Sequence, residues 1–309
     1  MSFLPKNLTA KAPPIKTQGI KTKLLPMIAS NISWDGEGRW VEPFLGSGAV
    51  ALNIAPPKAI LADTNKHIIG VYQAIQSGEL DSHKVRKFLQ IEGSHLLEKG
   101  DEHYYYVRTR FNEEGSPLDF LFLTRSCFNG VMRFNKKGGF NVPFCKKPNR
   151  FRQALVTKIS NQIDWAEKAI KGKDWEFKVQ PWQETVAEAK KGDLIYCDPP
   201  YVARHTDYYN SFTDEEGVEL ADALKASAAD FAMSMWLENK YRRNDYVDEC
   251  FANYEIRTTS HFYHVGSRES LRNEMVEALI LSDGVAGATP PSVKKASLPL
   301  FEGAETANV

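Results

Sequence analysis

The sequence predicts an α/β protein: an open, mostly parallel sheet with an antiparallel terminal strand, into which a helix-rich segment bearing a β-hairpin is inserted. Three observations predict it. Apolar runs of strand length alternate with amphipathic runs of helix length at both ends of the chain. One strand-like run, ending at Val41-Glu42-Pro43-Phe44-Leu45, opens into Gly46-Ser47-Gly48 and a helix-like stretch, where backbone amides can approach a ligand. Another, Leu194-Ile195-Tyr196-Cys197, stops at Asp198-Pro199-Pro200-Tyr201, because two prolines cannot continue a hydrogen-bonded ladder.

In chain order, residues 21–32 have helical periodicity, 40–43 read as the first strand and 47–54 as a helix. Residues 59–62 form the second strand and 66–76 another helix. From residue 77 the composition turns charged and helix-rich (81–100, 104–112) and continues through a basic stretch to 158. Residues 77–158 are therefore read as an inserted domain, with 12–76 and 159–284 forming the core domain. The core resumes with a helix over 159–171 and strands near 175–179 and over 194–197. An acid-capped helix (214–228), a strand (230–235) and an antiparallel pair (254–258, 277–281) complete it. Residues 285–309, with Pro290-Pro291 and many small side chains, read as a flexible tail.

At 309 residues and 42% hydrophobic, the chain is long enough for a full α/β core and a smaller second unit. The balance of 39 basic against 39 acidic residues means that affinity for a polyanion must come from a local patch. Such a patch exists: from Phe120 to Ile163 there are nine Lys or Arg residues and no Asp or Glu. Cys127, Cys145, Cys197 and Cys250 contain no Cys-x-x-Cys pair and no histidine set at zinc spacing, so structural thiols and no metal are expected. No signal peptide and no run of about 18 apolar residues is evident, which points to a cytoplasmic protein without membrane contact.

The chemistry follows from residue types. Asp198 and the Pro199 carbonyl can accept the two N–H bonds of an exocyclic amino group, while Tyr201 offers a face for the ring. Asp63, at the end of the second strand and followed by Asn65, stands at about the spacing used to bind ribose hydroxyls. The long glycine fingerprint of a dinucleotide site is missing. Lys136-Lys137-Gly138-Gly139 is a turn between two aromatic-bearing runs, which gives a ribbon with a cationic tip that fits a major groove.

Together these residues resemble the Dam-like (alpha-group) S-adenosylmethionine-dependent DNA adenine-N6 methyltransferases, over about residues 14–284. The order matches: cofactor motif, recognition insert, then Asp-Pro-Pro-Tyr. The block from Arg125-Ser126-Cys127-Phe128-Asn129-Gly130 to Gly139-Phe140-Asn141-Val142-Pro143 is similar to the family's most diagnostic stretch. The resemblance implies a Rossmann-like methyltransferase sheet with a DNA-recognition insert. It implies catalysis by Asp198, Pro199, Pro200 and Tyr201, and cofactor contacts from Lys21, Glu42, Phe44, Gly46, Gly48, Asp63, Asn65, Trp182 and Asp198. The family's Lys-Trp-x-Gly-Gly-Lys element is here Lys16-Thr17-Gln18-Gly19-Ile20-Lys21, so Thr17 occupies the tryptophan's place in the cofactor site without offering a ring. A second departure is Pro181-Trp182, where the family has an acid before an aromatic; Glu184 is the nearest substitute. DNA contacts are expected from Arg125, Asn129, Arg133, Asn135, Lys136 and Lys137. Arg133 is the candidate for a guanine edge and the lysines for phosphates. Asn129 and Asn135 either contact adenine or close turns, and Tyr208-Tyr209-Asn210 either closes over a flipped base or packs its loop.

The implied partners are double-stranded DNA and a separately acting restriction endonuclease, in a bacterial or phage setting, with the protein a monomer or weak dimer. Three alternatives stay open at this stage: RNA adenine as substrate, cytosine N4 as target, and a DNA-binding regulator that keeps the fold without turnover. Asp198, rather than Ser, at the start of the motif favours adenine.

Overall fold

A computed structural model describes residues 2–17, 19, 21–201, 212–264 and 272–287. After a short 3-10 turn at Lys21–Lys23 come α1 (Leu25–Asn31), β1 (Trp40–Glu42), α2 (Ala49–Ile54), β2 (Lys58–Asp63) and α3 (Lys66–Gln76). Three helices follow, α4 (Ser82–Lys99), α5 (Asp101–Glu114) and α6 (Pro117–Ser126), before α7 (Gln153–Ile170). The chain then returns to β3 (Asp174–Val179), α8 (Trp182–Ala187), β4 (Leu194–Cys197), α9 (Asp214–Ala226) and β5 (Asp230–Asn239). It ends with α10 (Asp245–Phe251), β6 (Glu255–His264) and β7 (Arg272–Leu281). The helix expected over 21–32 is divided because Pro26 sits in the first turn of α1, where a missing N–H costs nothing.

Seven strands form one sheet in the order β3-β2-β1-β4-β5-β7-β6. All neighbours are parallel except at β7, which runs antiparallel to both β5 and β6. The mixed α/β sheet with its antiparallel terminal element is thus as the sequence predicts. Strand alternation sends side chains to two separate cores. Trp40, Leu61, Leu194, Tyr196 and Ala232 pack on one face with α1 to α7, whereas Val41, Ile60, Ile195, Cys197 and Phe231 pack on the other with α8, α9 and α10. Strands covered on both faces need apolar residues at both parities, which is why β1, β2 and β4 read as continuous runs while the edge strand β3 alternates. Strand order reverses between β1 and β4: it runs outward to β3, then restarts on the far side of β1. Asp193 fixes that junction by accepting from Arg39 N at 2.8 Å, Arg39 Nη2 at 2.6 Å and Lys190 N at 2.9 Å.

The helices α4 to α6 share the first core with α3 and α7. Past α6 the basic segment folds as an irregular ribbon. Its only pairings among the described residues are the antiparallel bridges Cys127↔Phe144 and Phe134↔Phe140. The expected hairpin is therefore present as a tight turn without a regular ladder. Asn135 occupies it, its Oδ1 accepting from Lys137 N at 2.9 Å and Gly139 N at 3.0 Å. The ribbon is anchored from beneath: Tyr104 Oη donates to Val142 O at 2.7 Å, and Asn112 Oδ1 accepts from Phe140 N at 2.7 Å.

His67 completes that anchor, its ring stacked on Phe134 at 5.4 Å and tilted against Phe111 at 4.6 Å. Burial, with Lys66 adding a smaller push, lowers its pKa from the ordinary 6.5 to about 4. A depressed value means that the packed, neutral ring contributes stability fully above pH 6.5, and that this is lost as pH falls through about 4. Because the ring is only partly buried, we expect on the order of 1 kcal/mol from this source. Urea unfolding at pH 7 and pH 4 should show that component in the wild type and lose it in His67→Phe.

One boundary needs correction. Residues 285–287, assigned to the tail on sequence, pack against the body: Val285 is buried, Ala286 bridges Ile32, and Gly287 N donates to Asn31 O at 3.0 Å. The apolar Val285 and the free edge of the Asn31–Ile32 backbone explain the docking. The rest of the expected tail lies outside the described residues.

Candidate active site

In open α/β sheets, ligands bind at the carboxyl ends of the strands flanking the point where strand order reverses. Here that point lies between β1 and β4, so Glu42 and Asp198 end adjacent strands. Asp198 is the centre of a cluster. Its Oδ1 is 2.6 Å from Lys21 Nζ and accepts from Ser234 Oγ at 3.0 Å. Ser234 is in turn 3.0 Å from Tyr196 Oη. Tyr201 donates its hydroxyl to Glu277 Oε1 at 2.6 Å, and Lys21 Nζ lies 3.4 Å from the same hydroxyl and 5.0 Å from the ring centre.

Lys21 is thus placed on the Asp198-Pro199-Pro200-Tyr201 motif itself, held there by its 3-10 turn. Burial by itself lowers the ammonium's pKa, but the Asp198 and Glu277 carboxylates outweigh it and raise the group above its ordinary value. Asp198 is raised as well, because its own burial outweighs the pull of Lys21. Among the described residues, both contacts to Asp198 fall on Oδ1.

The glycine turn forms the other half of the crevice. Gly48 has φ +70°, and a Cβ there would meet Tyr72 Oη at 2.7 Å, so only glycine fits. Gly46, at φ +50°, has open space around the corresponding position. Asp63 holds this turn, Oδ2 accepting from Gly46 N and Oδ1 from Asn65 N, each at 2.8 Å. Asn65 itself caps α3, accepting from His67 N at 3.0 Å. Glu42 is almost fully buried, accepts from Trp40 Nε1 at 3.2 Å, and is pushed well above the usual carboxyl range by burial. Phe44 stands edge-on to Phe212 at 6.0 Å. Thr17 is half-buried.

The Asp63 turn, an open glycine face and an aromatic suit a ligand that carries both hydroxyls and a flat ring. Trp182 opens α8 but is buried in the second core with Ile60 and Val186, so packing accounts for it. Pro181 caps that helix and Glu184 is exposed.

The basic ribbon displays Asn129, Arg133, Asn135, Lys136 and Lys137 at the surface. Asn129 adopts φ +52° in a turn, and Asn135 closes its own turn as described. Arg133 Nε donates to Asn141 Oδ1 at 2.9 Å, which fixes the guanidinium across the ribbon. Arg125 departs from expectation. It is buried, with Nη2 donating to Pro14 O at 2.6 Å and Gln162 Oε1 at 3.0 Å. Burial, assisted by Arg150, pushes its pKa down to about 10. It ties the N-terminal segment to α7 and is not displayed for DNA; the apolar face of α6 carries it inward. Tyr208, Tyr209 and Asn210 lie outside the described residues.

Sequence reasoning missed Ser234, Tyr196 and Glu277. The available signal was a lone polar residue inside an apolar strand, as in Met275-Val276-Glu277-Ala278-Leu279 and Ala232-Met233-Ser234-Met235.

The family profile of D12 class N6 adenine-specific DNA methyltransferases matches residues 18–265. A DNA adenine methylase of Vibrio cholerae is 34% identical over 212 residues, covering 64% of this chain and 71% of that protein. The DNA adenine methylase of Escherichia coli K12 is 34% identical over 194 residues, covering 59% and 65%. A type II methyltransferase of Lactococcus lactis subsp. cremoris is 26% identical over 300 residues, covering 92% of this chain and 100% of its own length.

Proposed function

The chain belongs to the D12 class of N6 adenine-specific DNA methyltransferases, and on that premise we propose that it methylates N6 of an adenine swung out of duplex DNA, with S-adenosylmethionine as donor. The observation that carries this reading is Asp198, held through Oδ1 by Lys21 and Ser234 at the carboxyl end of β4 beside the β1–β4 crevice. When bound, S-adenosylmethionine supplies an electrophilic methyl group. Phe44, Gly46, Asp63 and Lys21 are the residues that would hold it.

The chain's own residues do the rest. An adenine amino nitrogen is a poor nucleophile because its lone pair is delocalised into the ring. Accepting its hydrogens at Asp198 and the Pro199 carbonyl favours a pyramidal nitrogen and frees that pair. Positioning and preorganised acceptors supply the gain, with no covalent intermediate. Tyr201, its hydroxyl fixed by Glu277, presents a ring for stacking against the extruded base, whose unstacking costs about a few kcal/mol. The ribbon tip, Lys136 and Lys137, contacts phosphates, and Arg133 reads a base edge. Relatives named type II methyltransferases support a modification role beside a separately acting endonuclease.

Incubation with methyl-labelled S-adenosylmethionine tests the assignment. Label should appear as N6-methyladenine in duplex DNA. Its appearance in RNA, at cytosine N4, or nowhere would sink it in favour of the corresponding alternative. For recognition, Arg133→Ala should relax sequence choice at one position, worth about 1–3 kcal/mol. Lys137→Ala should instead weaken binding to all sequences and reduce the salt slope by about 1. Single-base methylation maps and salt titrations separate the two.

A further inference from the structure

Glu92 and His95 lie three residues apart on α4, on one side of the helix, and His103 enters from the first turn of α5. Donor atoms of all three fall within 4.8 Å of one another. His103 Nε2 is 2.6 Å from Glu92 Oε2, and the rings of His95 and His103 are 5.1 Å apart. Glu92 and His103 are buried while His95 is exposed, so the cluster opens to solvent on the His95 side. Glu92 is also oriented from behind: its Oε1 accepts from Arg110 Nη2 at 3.1 Å. Arg110 is balanced by Asp119, 2.5 Å away, and stacks over Tyr106. Metal-ligating carboxylates are ordinarily fixed by such outer partners.

From this arrangement we infer that Glu92, His95 and His103 bind a divalent transition-metal ion of the zinc class, with His95 turning in from solvent and water completing the shell. Two imidazoles and a carboxylate are a donor set that Zn²⁺ takes at about 2.0–2.2 Å. Mg²⁺ and Ca²⁺, which require mostly oxygen ligands, do not suit it. With Arg110 offset by Asp119, the Glu92 carboxylate supplies the negative charge that the cation meets. The ion would tie α4 to α5 across the Gly100 turn, and α5 is the helix whose Tyr104 and Asn112 anchor the basic ribbon. The site is independent of the methyl-transfer reading, since none of its residues belongs to the β1–β4 crevice.

Titrating the full-length, chelator-treated chain with Co²⁺ and then Zn²⁺ tests this. One Co²⁺ per chain should give the visible d–d absorption of a four-coordinate ion, and Zn²⁺ should displace it. At a hundredfold excess over Kd, Zn²⁺ should raise Tm by about 5 °C, while Mg²⁺ should not. His95→Ala, an exposed position, should keep the metal-free Tm and lose both the absorption and the zinc-induced rise. Absence of both signals in the wild type overturns the site: the Glu92–His103 contact is then a self-sufficient buried hydrogen bond. Their persistence in His95→Ala overturns it too, because the ion then sits elsewhere.

Discussion

Replacing Asp198 with alanine should lower kcat for methyl transfer about a hundred- to thousandfold, the range seen when one preorganised hydrogen-bonding group is removed from a reacting centre. The effect should fall on kcat and leave DNA affinity near wild type, because the ribbon proposed to contact phosphates spans residues 127–147 and is anchored by α5, apart from the β4 tip. Asp198→Asn should fall between the two. Its amide oxygen can still accept one hydrogen bond, but Lys21 and an adenine amino group would then compete for a neutral acceptor. Single-turnover methylation with saturating DNA measures the step directly. An Asp198→Ala protein that retains more than about a tenth of the wild-type rate would show that the acceptor lies elsewhere.

Much of this site could be read from the chain because its signals are local. Asp198-Pro199-Pro200-Tyr201 ends a strand by covalent necessity, and β4 duly stops at Cys197. Helix α3 begins where expected because Asn65 caps it. What escaped was long-range or too short to carry a period. Helices α8 and α10 span a turn or two each, and α6 is buried on nearly every side, so none shows an amphipathic stripe. Ser234 and Glu277 reach Asp198 and Tyr201 only through the pairing of β5 with β4 and β7. Arg125 was misread for a related reason: charge counting identifies a basic segment but not which of its residues turns inward.

The cation in the cluster provides the second large effect. Lys21→Met keeps the buried aliphatic stem and removes the charge 2.6 Å from Asp198. Breaking one side of a buried pair costs about 3 kcal/mol, which for a chain of this size lowers Tm by roughly 10 °C. The pH dependence has a defined sign. Asp198 is already raised by burial and restrained by Lys21, so loss of the ammonium raises it further. A carboxyl raised above its unfolded value contributes stability at low pH that is lost as pH rises through the folded value. The deficit of Lys21→Met against wild type should therefore widen from acid toward neutral pH. Activity must move the same way, since only the ionised carboxylate is a full acceptor: the acid limb of kcat/KM should shift to higher pH. Adding Asp198→Asn to Lys21→Met removes the stranded charge, so the double variant should be more stable than Lys21→Met alone. Equal melting of the single and double variants would mean that Lys21 acts on packing and not through its charge. That outcome would separate the lysine from the acceptor it is placed to hold.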